Sequence, residues 1–183
     1  GLETYFEYID DACSNNKKKE LKEINLLGEV HKFVRILKNE SEKHGIEILM
    51  DHIETKWYKT CLMHPSDWSS IFLNLYSNSR KALKRAGVMP GRIKINLFLE
   101  DTYIIFEFHD NGDGITDSIR DRIFEPFVSI AGEGETEEER SSGLGLYIIK
   151  EILNSYNGKI SISKPEENYK TCFKIQIPRG EKK

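Results

Sequence analysis

The sequence is short of cysteines and of long apolar runs, and each shortage excludes a class of protein. Its three cysteines, Cys13, Cys61 and Cys172, are scattered along 183 residues. An odd number of widely spaced cysteines fits neither a disulfide framework nor a C-x-x-C metal site, so we expect a reducing, cytoplasmic environment. No apolar run approaches the roughly 20 residues that a membrane-spanning helix needs, although the full-length protein could still be anchored to a membrane.

The sequence also lacks an excess of positive charge. It has 27 basic and 30 acidic residues, for a net charge of −3. Binding to nucleic acid or to an anionic membrane usually depends on a basic field, so we expect neither partner. With 38% hydrophobic and 31% charged residues, the composition is that of a globular chain that can bury one good core.

The N-terminal residues carry a separate pattern. Leu2, Tyr5, Phe6, Ile9 and Cys13 recur at helical spacing and are followed by a polar, basic run. This pattern predicts that residues 1–24 are the C-terminal end of a helical, dimerisation-type segment or, alternatively, an N-terminal helix packed on its own domain. Because the sequence begins inside such a pattern, we expect it to be a fragment of a longer protein, with residues 25–183 as its second domain.

The rest of the sequence predicts an α+β fold. Helical and alternating stripes follow one another, with a Gly turn or a polar turn at most boundaries. Pro65 opens a long helix, with Ser66 or Asp67 as its cap, and Gly158 is expected as the left-handed cap of the last helix. We therefore predict a two-layer α/β sandwich with a mixed, mostly antiparallel sheet and helices on one face. The predicted strands are 46–50, 57–63, 93–99, 103–108, 159–163 and 169–177.

The run Asp110-Asn111-Gly112-Asp113-Gly114-Ile115 carries the first sign of chemistry. It follows the apolar stretch 103–108, so a predicted strand delivers a carboxylate into a pocket and then turns sharply. Its two glycines allow backbone angles closed to other residues and let a ligand approach the main chain. Taken alone the motif is weak, because Asp-Gly turns are also common in hairpins.

A second polar group lies on the predicted long helix. Asn74 and Asn78 are four residues apart and therefore share one helical face, with Lys81 close to it. An amide oxygen is a suitable ligand for a Mg²⁺ ion that keeps most of its waters. The alternative is an exposed polar face without a ligand.

Residues 132–140 are rich in Gly and Glu and have almost nothing to bury, which predicts a mobile loop. Gly143-Leu144-Gly145-Leu146 then begins a helix, where backbone amides and the helix dipole favour phosphate. Phe124 and Phe127 flank the other side of the loop, and we expect them to pack rather than to contact a ligand.

These motifs together resemble a known family. The segment 74–78 resembles the N box of the sensor histidine kinases, 110–114 their first glycine box, 123–127 their F box and 141–146 their second glycine box. All four occur in the family's order and cover about residues 26–178. The chain therefore resembles the catalytic, ATP-binding domain of a histidine kinase, within the gyrase–chaperone–kinase–MutL superfamily and its Bergerat fold.

The resemblance implies a role for each matching residue. Asn78 would hold Mg²⁺ bridging the phosphates of ATP, Asn74 would assist it, and Lys81 would meet phosphate oxygens. Asp110 would accept a hydrogen bond from the adenine amine, directly or through water. The remaining residues that the resemblance places around the nucleotide are Gly112, Gly114, Ile115, Ser142, Gly143, Leu144, Gly145 and Leu146.

The sequence departs from the family in the lid. The second glycine box usually starts with Gly, but here it starts with Ser141. Lids in this family tend to carry cations, whereas this loop has five glutamates between Glu133 and Glu139. Arg140 is then the candidate lid cation.

Asn74 bears on the type of reaction. In the water-splitting members of the superfamily a Glu occupies this position and acts as a general base, which an amide cannot do. The resemblance therefore implies phosphoryl transfer to a histidine, with an upstream histidine-bearing dimerisation domain, a response regulator receiver domain and a full-length homodimer as partners. The alternatives are a hydrolytic ATPase, or a serine kinase or nucleotide-regulated module of the anti-sigma-factor type. None of the five histidines lies in an acceptor context, so we expect the acceptor outside this fragment.

Overall fold

The computed structural model describes residues 20–53, 58–128 and 142–180. The predictions for the first helix, for the lid and for Arg140 and Ser141 therefore lie outside the described residues. In chain order the elements are β1 (Lys22–Asn25), α1 (Leu26–Lys43), β2 (Ile46–Ile53), β3 (Lys59–Met63), α2 (Pro65–Ala86), β4 (Gly91–Glu100), β5 (Tyr103–Asp110), α3 (Asp117–Arg120), α4 (Gly145–Ser155), β6 (Lys159–Ile162) and β7 (Thr171–Pro178).

The main sheet has five strands in the order β2-β4-β5-β7-β6. β2 runs parallel to β4, and the other pairs are antiparallel. The register places Asp110 opposite Thr171 and Phe108 opposite Phe173. Opposing residues share a face of the sheet, so the last residues of β5 and the first of β7 form one surface.

The helices cover one face of this sheet. Trp68 and Phe72 of α2 make edge-to-face contacts with Phe106 of β5, at ring-centroid distances of 5.5 Å and 5.3 Å. The apolar stripes of α1 and α4 join the same core through Phe33 and Ile149. The predicted fold class, a mixed sheet with helices on one face, is confirmed.

The structure adds a strand that alternation did not indicate. β1 pairs with β3 in a separate two-stranded antiparallel sheet. Residues 22–24, predicted as part of a helical segment, belong to this strand instead. The strand is only four residues long, too short for period-two alternation to reveal it.

Two predicted helix caps are wrong. His64 is the N-cap of α2 and makes no side-chain cap bond, while Asp67 instead accepts a hydrogen bond from the Tyr156 hydroxyl at 2.6 Å. At the end of α4 the left-handed residue is Asn157, with φ of 56°, and not Gly158. Gly158 is needed for space, because a Cβ there would lie 2.8 Å from the Gln176 carbonyl oxygen.

Candidate functional site

A cleft opens on the helix side of the sheet, where β5 and β7 meet the glycine turn, α2 and the start of α4. It offers about 610 Å³ of space, counted to include the open solvent at its mouth. The residues predicted from the sequence that line it are Asn78, Lys81, Asp110, Gly114, Ile115, Gly143, Gly145 and Leu146. The structure therefore brings together four motifs that are spread over about 70 positions of the sequence.

Asp110 ends β5 inside this cleft, with only 2% of its surface exposed. Its Oδ2 accepts a hydrogen bond from the Ser79 hydroxyl at 2.8 Å, and its Oδ1 accepts one from the Gly112 N–H at 3.0 Å. Burial raises the pKa of this carboxyl, and the bonds from Ser79, Gly112 and Thr171 partly oppose that increase. Asp110 is thus a buried acceptor held in one orientation.

The turn requires glycine at positions 112 and 114 for two different reasons. Gly114 has φ of 81° and lines the cleft, so it meets the predicted need for a left-handed backbone. A Cβ on Gly112 would lie 2.7 Å from the Ala82 Cβ. Gly112 therefore allows the turn to approach α2 closely, a constraint that the sequence did not indicate.

Asn78 of α2 lines the cleft and has an unpaired hydrogen-bond donor there. Its Nδ2 is buried and has no hydrogen-bond partner among the described residues. An unsatisfied buried amide costs free energy unless a ligand or water pairs with it. This amide therefore fits a ligand in the cleft, and its oxygen is of the type that Mg²⁺ accepts.

Asn74 lies one turn earlier on α2 and does not line the cleft. Its Nδ2 donates to the Ser70 carbonyl oxygen at 2.9 Å. Its Oδ1 faces the start of α4, since a Cβ on Gly145 would lie 2.8 Å from it. The two amides share a helical face as predicted, but only Asn78 opens into the cleft.

The second glycine box forms the opposite wall. α4 begins at Gly145, and its N-cap Leu144 contributes no side-chain cap. The Leu144 N–H donates to the Ser142 hydroxyl at 3.4 Å. Because no side chain of the described residues caps the first turn of α4, its amides and its dipole are available to an anion in the cleft.

The F box contacts this wall through its backbone. The Phe127 N–H donates to the Gly143 carbonyl oxygen at 3.0 Å, and Gly143 has φ of 67°. Phe124 packs on Phe173 as expected. The expectation that Phe127 packs is wrong: its side chain is 77% exposed and its φ is 65°, because the close approach of Gly143 constrains its backbone.

Sequence reasoning missed three residues of the site. Ser79 and Thr171 both hold Asp110, and Arg85 lines the cleft and pairs with Asp113 at 2.6 Å. Ser79 directly follows Asn78, and Arg85 lies two turns further along the same helix. Helical periodicity could have indicated Arg85, at i+7 from Asn78, whereas Ser79 and Thr171 require the position of β5 and the strand register.

The histidines remain apart from the cleft. The side chain of His109 lies on the face of the sheet opposite Asp110, because neighbouring residues of a strand alternate. His31, His44 and His52 are exposed, and His64 precedes α2. No described helix is long and apolar enough to cross a membrane.

Comparison with known proteins agrees with this geometry. Residues 63–181 match the model of the family described as histidine kinase-, DNA gyrase B-, and HSP90-like ATPase. Sporulation kinase A of Bacillus subtilis is 27% identical over 169 residues, which are 90% of this chain and 24% of that protein. Histidine kinase P4 of Formosa agariphila is 25% identical over 178 residues, which are 96% of this chain and 12% of that protein.

Solved structures show the same fold. The nucleotide-free catalytic domain of the histidine kinase ThkA superposes with a TM-score of 0.71 at 22% identity, covering 87% of this chain and 96% of that one. Full-length ShkA in complex with AMPPNP gives a TM-score of 0.69 at 18% identity, covering 96% of this chain and 35% of that one. The chain spans only 12% and 24% of the two curated relatives above, and it belongs to the family of histidine kinase-, DNA gyrase B-, and HSP90-like ATPases.

Proposed function

We propose that this domain binds Mg²⁺–ATP and donates the γ-phosphoryl group to a histidine outside the fragment. The observation that carries the proposal is the convergence on one cleft of a buried, oriented acceptor at Asp110 and an unpartnered buried amide at Asn78. Asp110, Asn78 and Lys81 line the cleft together with the apolar side chains Ile115, Ile123 and Phe173. This pattern suits a flat base at one end and phosphates at the other.

Each part of the chain then has one task. Asp110 accepts a hydrogen bond from the adenine amine, and Ser79 and Thr171 hold it in place. Lys81 faces the phosphates, and the uncapped amides of α4 bind their oxygens. We propose Asn78 as the protein's ligand to Mg²⁺, whose remaining positions would be filled by phosphate oxygens and water. Bound Mg²⁺–ATP supplies the phosphoryl group and the charge that these groups neutralise.

Asn74 favours phosphoryl transfer over ATP hydrolysis. Its amide is bound to the Ser70 carbonyl oxygen, and an amide cannot take a proton from water. We propose that Asn74 supports the start of α4 beneath the phosphates rather than acting as a base. Arg140, Ser141 and Ser142 stay predicted contacts of the lid.

We propose that the partners are a histidine-bearing dimerisation domain, a receiver domain and a second copy of the full-length chain. One curated relative is named a histidine kinase and another a sporulation kinase, and this chain matches only a part of each. Since ATP is the substrate, we propose the cytoplasm as the compartment.

Radioactive γ-phosphate tests the proposal. The chain of 183 residues should bind ATP, label itself negligibly and hydrolyse ATP slowly. The full-length protein should form an acid-labile, base-stable phosphohistidine. Asn78→Ala should remove that label, whereas Asn154→Ala, at an exposed asparagine on α4, should keep it.

The alternatives give different results in the same experiment. Brisk release of phosphate by the isolated chain would favour the hydrolytic ATPase and contradict the role of Asn74. An acid-stable label on serine of an added partner would identify a serine kinase of the anti-sigma-factor type. ATP binding without label in the full-length protein would leave a nucleotide-regulated module.

A further inference from the structure

The face of the sheet that carries no helices has a buried group of polar side chains directly behind the cleft. Glu107 and His109 are two residues apart on β5 and so point to the same side. Cys172 of β7 is the register partner of His109 and therefore shares this face. His109 is 1% exposed and Cys172 is fully buried, while the Glu107 side chain is 18% exposed.

The oxygen and nitrogen atoms around the His109 Nε2 lie farther away than in good hydrogen bonds. The His109 Nε2 lies 3.5 Å from the Glu107 Oε2, 3.8 Å from the Glu166 Oε1 and 3.4 Å from the Asn96 Nδ2. Good N–H···O bonds are about 2.7–3.2 Å long. The Cys172 Sγ lies 3.7 Å away, which is the length of an ordinary weak bond to sulfur. The buried imidazole nitrogen therefore has four heteroatoms around it and no short hydrogen bond to any of them.

The same spacing suits a tetrahedral metal ion. Metal–ligand bonds of about 2.0–2.3 Å for imidazole, carboxylate and thiolate give tetrahedral edges of about 3.3–3.5 Å between nitrogen and oxygen and about 3.6 Å between nitrogen and sulfur. The edge from His109 to Glu107 is 3.5 Å and falls in this range, and the edge to Cys172, 3.7 Å, is close to it. All three donor atoms lie within 4.8 Å of one another.

From this geometry we propose that Glu107, His109 and Cys172 form a binding site for a borderline-soft divalent metal ion of the Zn²⁺ class. A thiolate with an imidazole and a carboxylate selects such an ion over Mg²⁺ or Ca²⁺, which prefer oxygen ligands. The Glu166 carboxylate or a water fills the fourth position. The site is separate from the Mg²⁺ position proposed at Asn78, because it lies on the other face of the sheet.

Metal binding would require a change in the hydrogen bonds of Glu166, which lies beside the cluster. The Asn96 Nδ2 donates to the Glu166 Oε1 at 2.7 Å, and Lys94 pairs with the Glu166 Oε2 at 2.7 Å. Glu166 lies in the loop between β6 and β7 and is 43% exposed in its side chain, so this loop provides the entry path. Metal binding replaces the bond from Asn96 and leaves Lys94 paired with Asp51.

Coordination also requires one proton to leave. The Cys172 sulfur binds a metal ion as the thiolate, so the thiol proton is the one that leaves. Binding forms a metal–sulfur bond and releases that proton to the buffer. The His109 Nε2 binds with its lone pair, with the ring proton on Nδ1.

Cobalt provides a direct test, because thiolate–Co²⁺ coordination gives a near-ultraviolet charge-transfer band and tetrahedral Co²⁺ gives intense visible bands. Cys13→Ser and Cys61→Ser together leave Cys172 as the only cysteine. In this background we expect one Co²⁺ per chain with both features, displaced by Zn²⁺. Zn²⁺ should also raise the melting temperature.

Cys172→Ser and His109→Gln in the same background should weaken Zn²⁺ binding by more than about tenfold and remove the rise in melting temperature. Glu107→Gln should do the same but keep the charge-transfer band at high Co²⁺. Absence of the band in the single-cysteine background overturns the proposal, as does Zn²⁺ affinity unchanged by His109→Gln. Should Cys172→Ser not fold, the cobalt spectrum of the background decides by itself.

Discussion

Replacing Asp110 by Asn tests the most specific contact in the cleft. The change is nearly isosteric and removes one acceptor oxygen. In the parent protein the Oδ1 accepts from Gly112 and the Oδ2 accepts from Ser79. The oxygen of the introduced asparagine keeps the bond from Gly112, and its NH₂ can donate to the Ser79 hydroxyl, which rotates to accept. The internal bonds are therefore preserved, and we expect the variant to fold.

The substitution therefore weakens ATP binding rather than the fold. The adenine amine is a donor and would meet the donor NH₂ of the introduced asparagine in place of a carboxylate. A hydrogen bond to a charged group contributes about 1.5–3 kcal/mol, so ATP should bind about 10- to 150-fold more weakly. Because Asp110 is 2% exposed, water cannot easily replace the lost partner. The affinity for the triphosphate end should not change, so guanine nucleotides should lose much less.

Calorimetric titration of ATP and GTP into both proteins measures this difference. Asp113→Asn is the charge control, because it removes the same charge from the same turn and breaks the two-bonded, partly exposed pair with Arg85. The control should change the ratio of ATP to GTP affinity by less than about threefold, as expected for an ion pair near the surface. If Asp110→Asn binds ATP within twofold of the parent, or loses ATP and GTP equally, the adenine assignment is wrong.

Two further predictions concern the framework of the cleft. Tyr156→Phe removes the 2.6 Å bond to Asp67 and the 3.1 Å bond from the His64 N–H, so urea denaturation should show a free energy of unfolding lower by about 1–2 kcal/mol. The exposed control Tyr103→Phe should change the free energy of unfolding by less than about 0.5 kcal/mol. Equal losses in the two variants would contradict the anchoring role of Tyr156. Gly112→Ala places a Cβ 2.8 Å from the Ala82 carbonyl carbon, so it should destabilise the domain by about 1–3 kcal/mol and weaken ATP binding. The control Gly28→Ala, whose Cβ meets nothing closer than 3.4 Å, should leave the stability unchanged or raise it. An unchanged stability in Gly112→Ala would refute the close approach of the turn to α2.

The parts of the fold that the sequence predicted are those with strong periodicity. β4, β5 and α2 are long and carry strict apolar stripes, so their existence and order followed from the pattern. β1 could not be predicted, because a strand of four residues is defined by pairing with β3 rather than by its own alternation. The caps failed for a related reason: a distant residue, Tyr156, binds Asp67, which the local sequence suggested as a cap.

The site residues that lie within one motif could be predicted from the sequence, whereas those brought in by tertiary contacts could not. Residues within one motif share a local geometry, so Asn78, Asp110 and Gly145 were identified from spacing and resemblance. Thr171 supports Asp110 only through the register of β7 against β5, and no local pattern indicates that register. The exposure of Phe127 depends likewise on Gly143, which is 16 positions away and approaches its backbone.

Packing alone does not account for the polar groups of the cleft. A stable core would pair the Asn78 amide, cap the first turn of α4 and avoid burying the Asp110 carboxylate, since each feature costs folding free energy. Here the three lie on separate elements, α2, α4 and β5, and meet at one cavity. A single defect is compatible with chance, but three on one cavity require a common partner. A ligand with a donor at one end and anionic oxygens at the other satisfies them together, and ATP with Mg²⁺ has both.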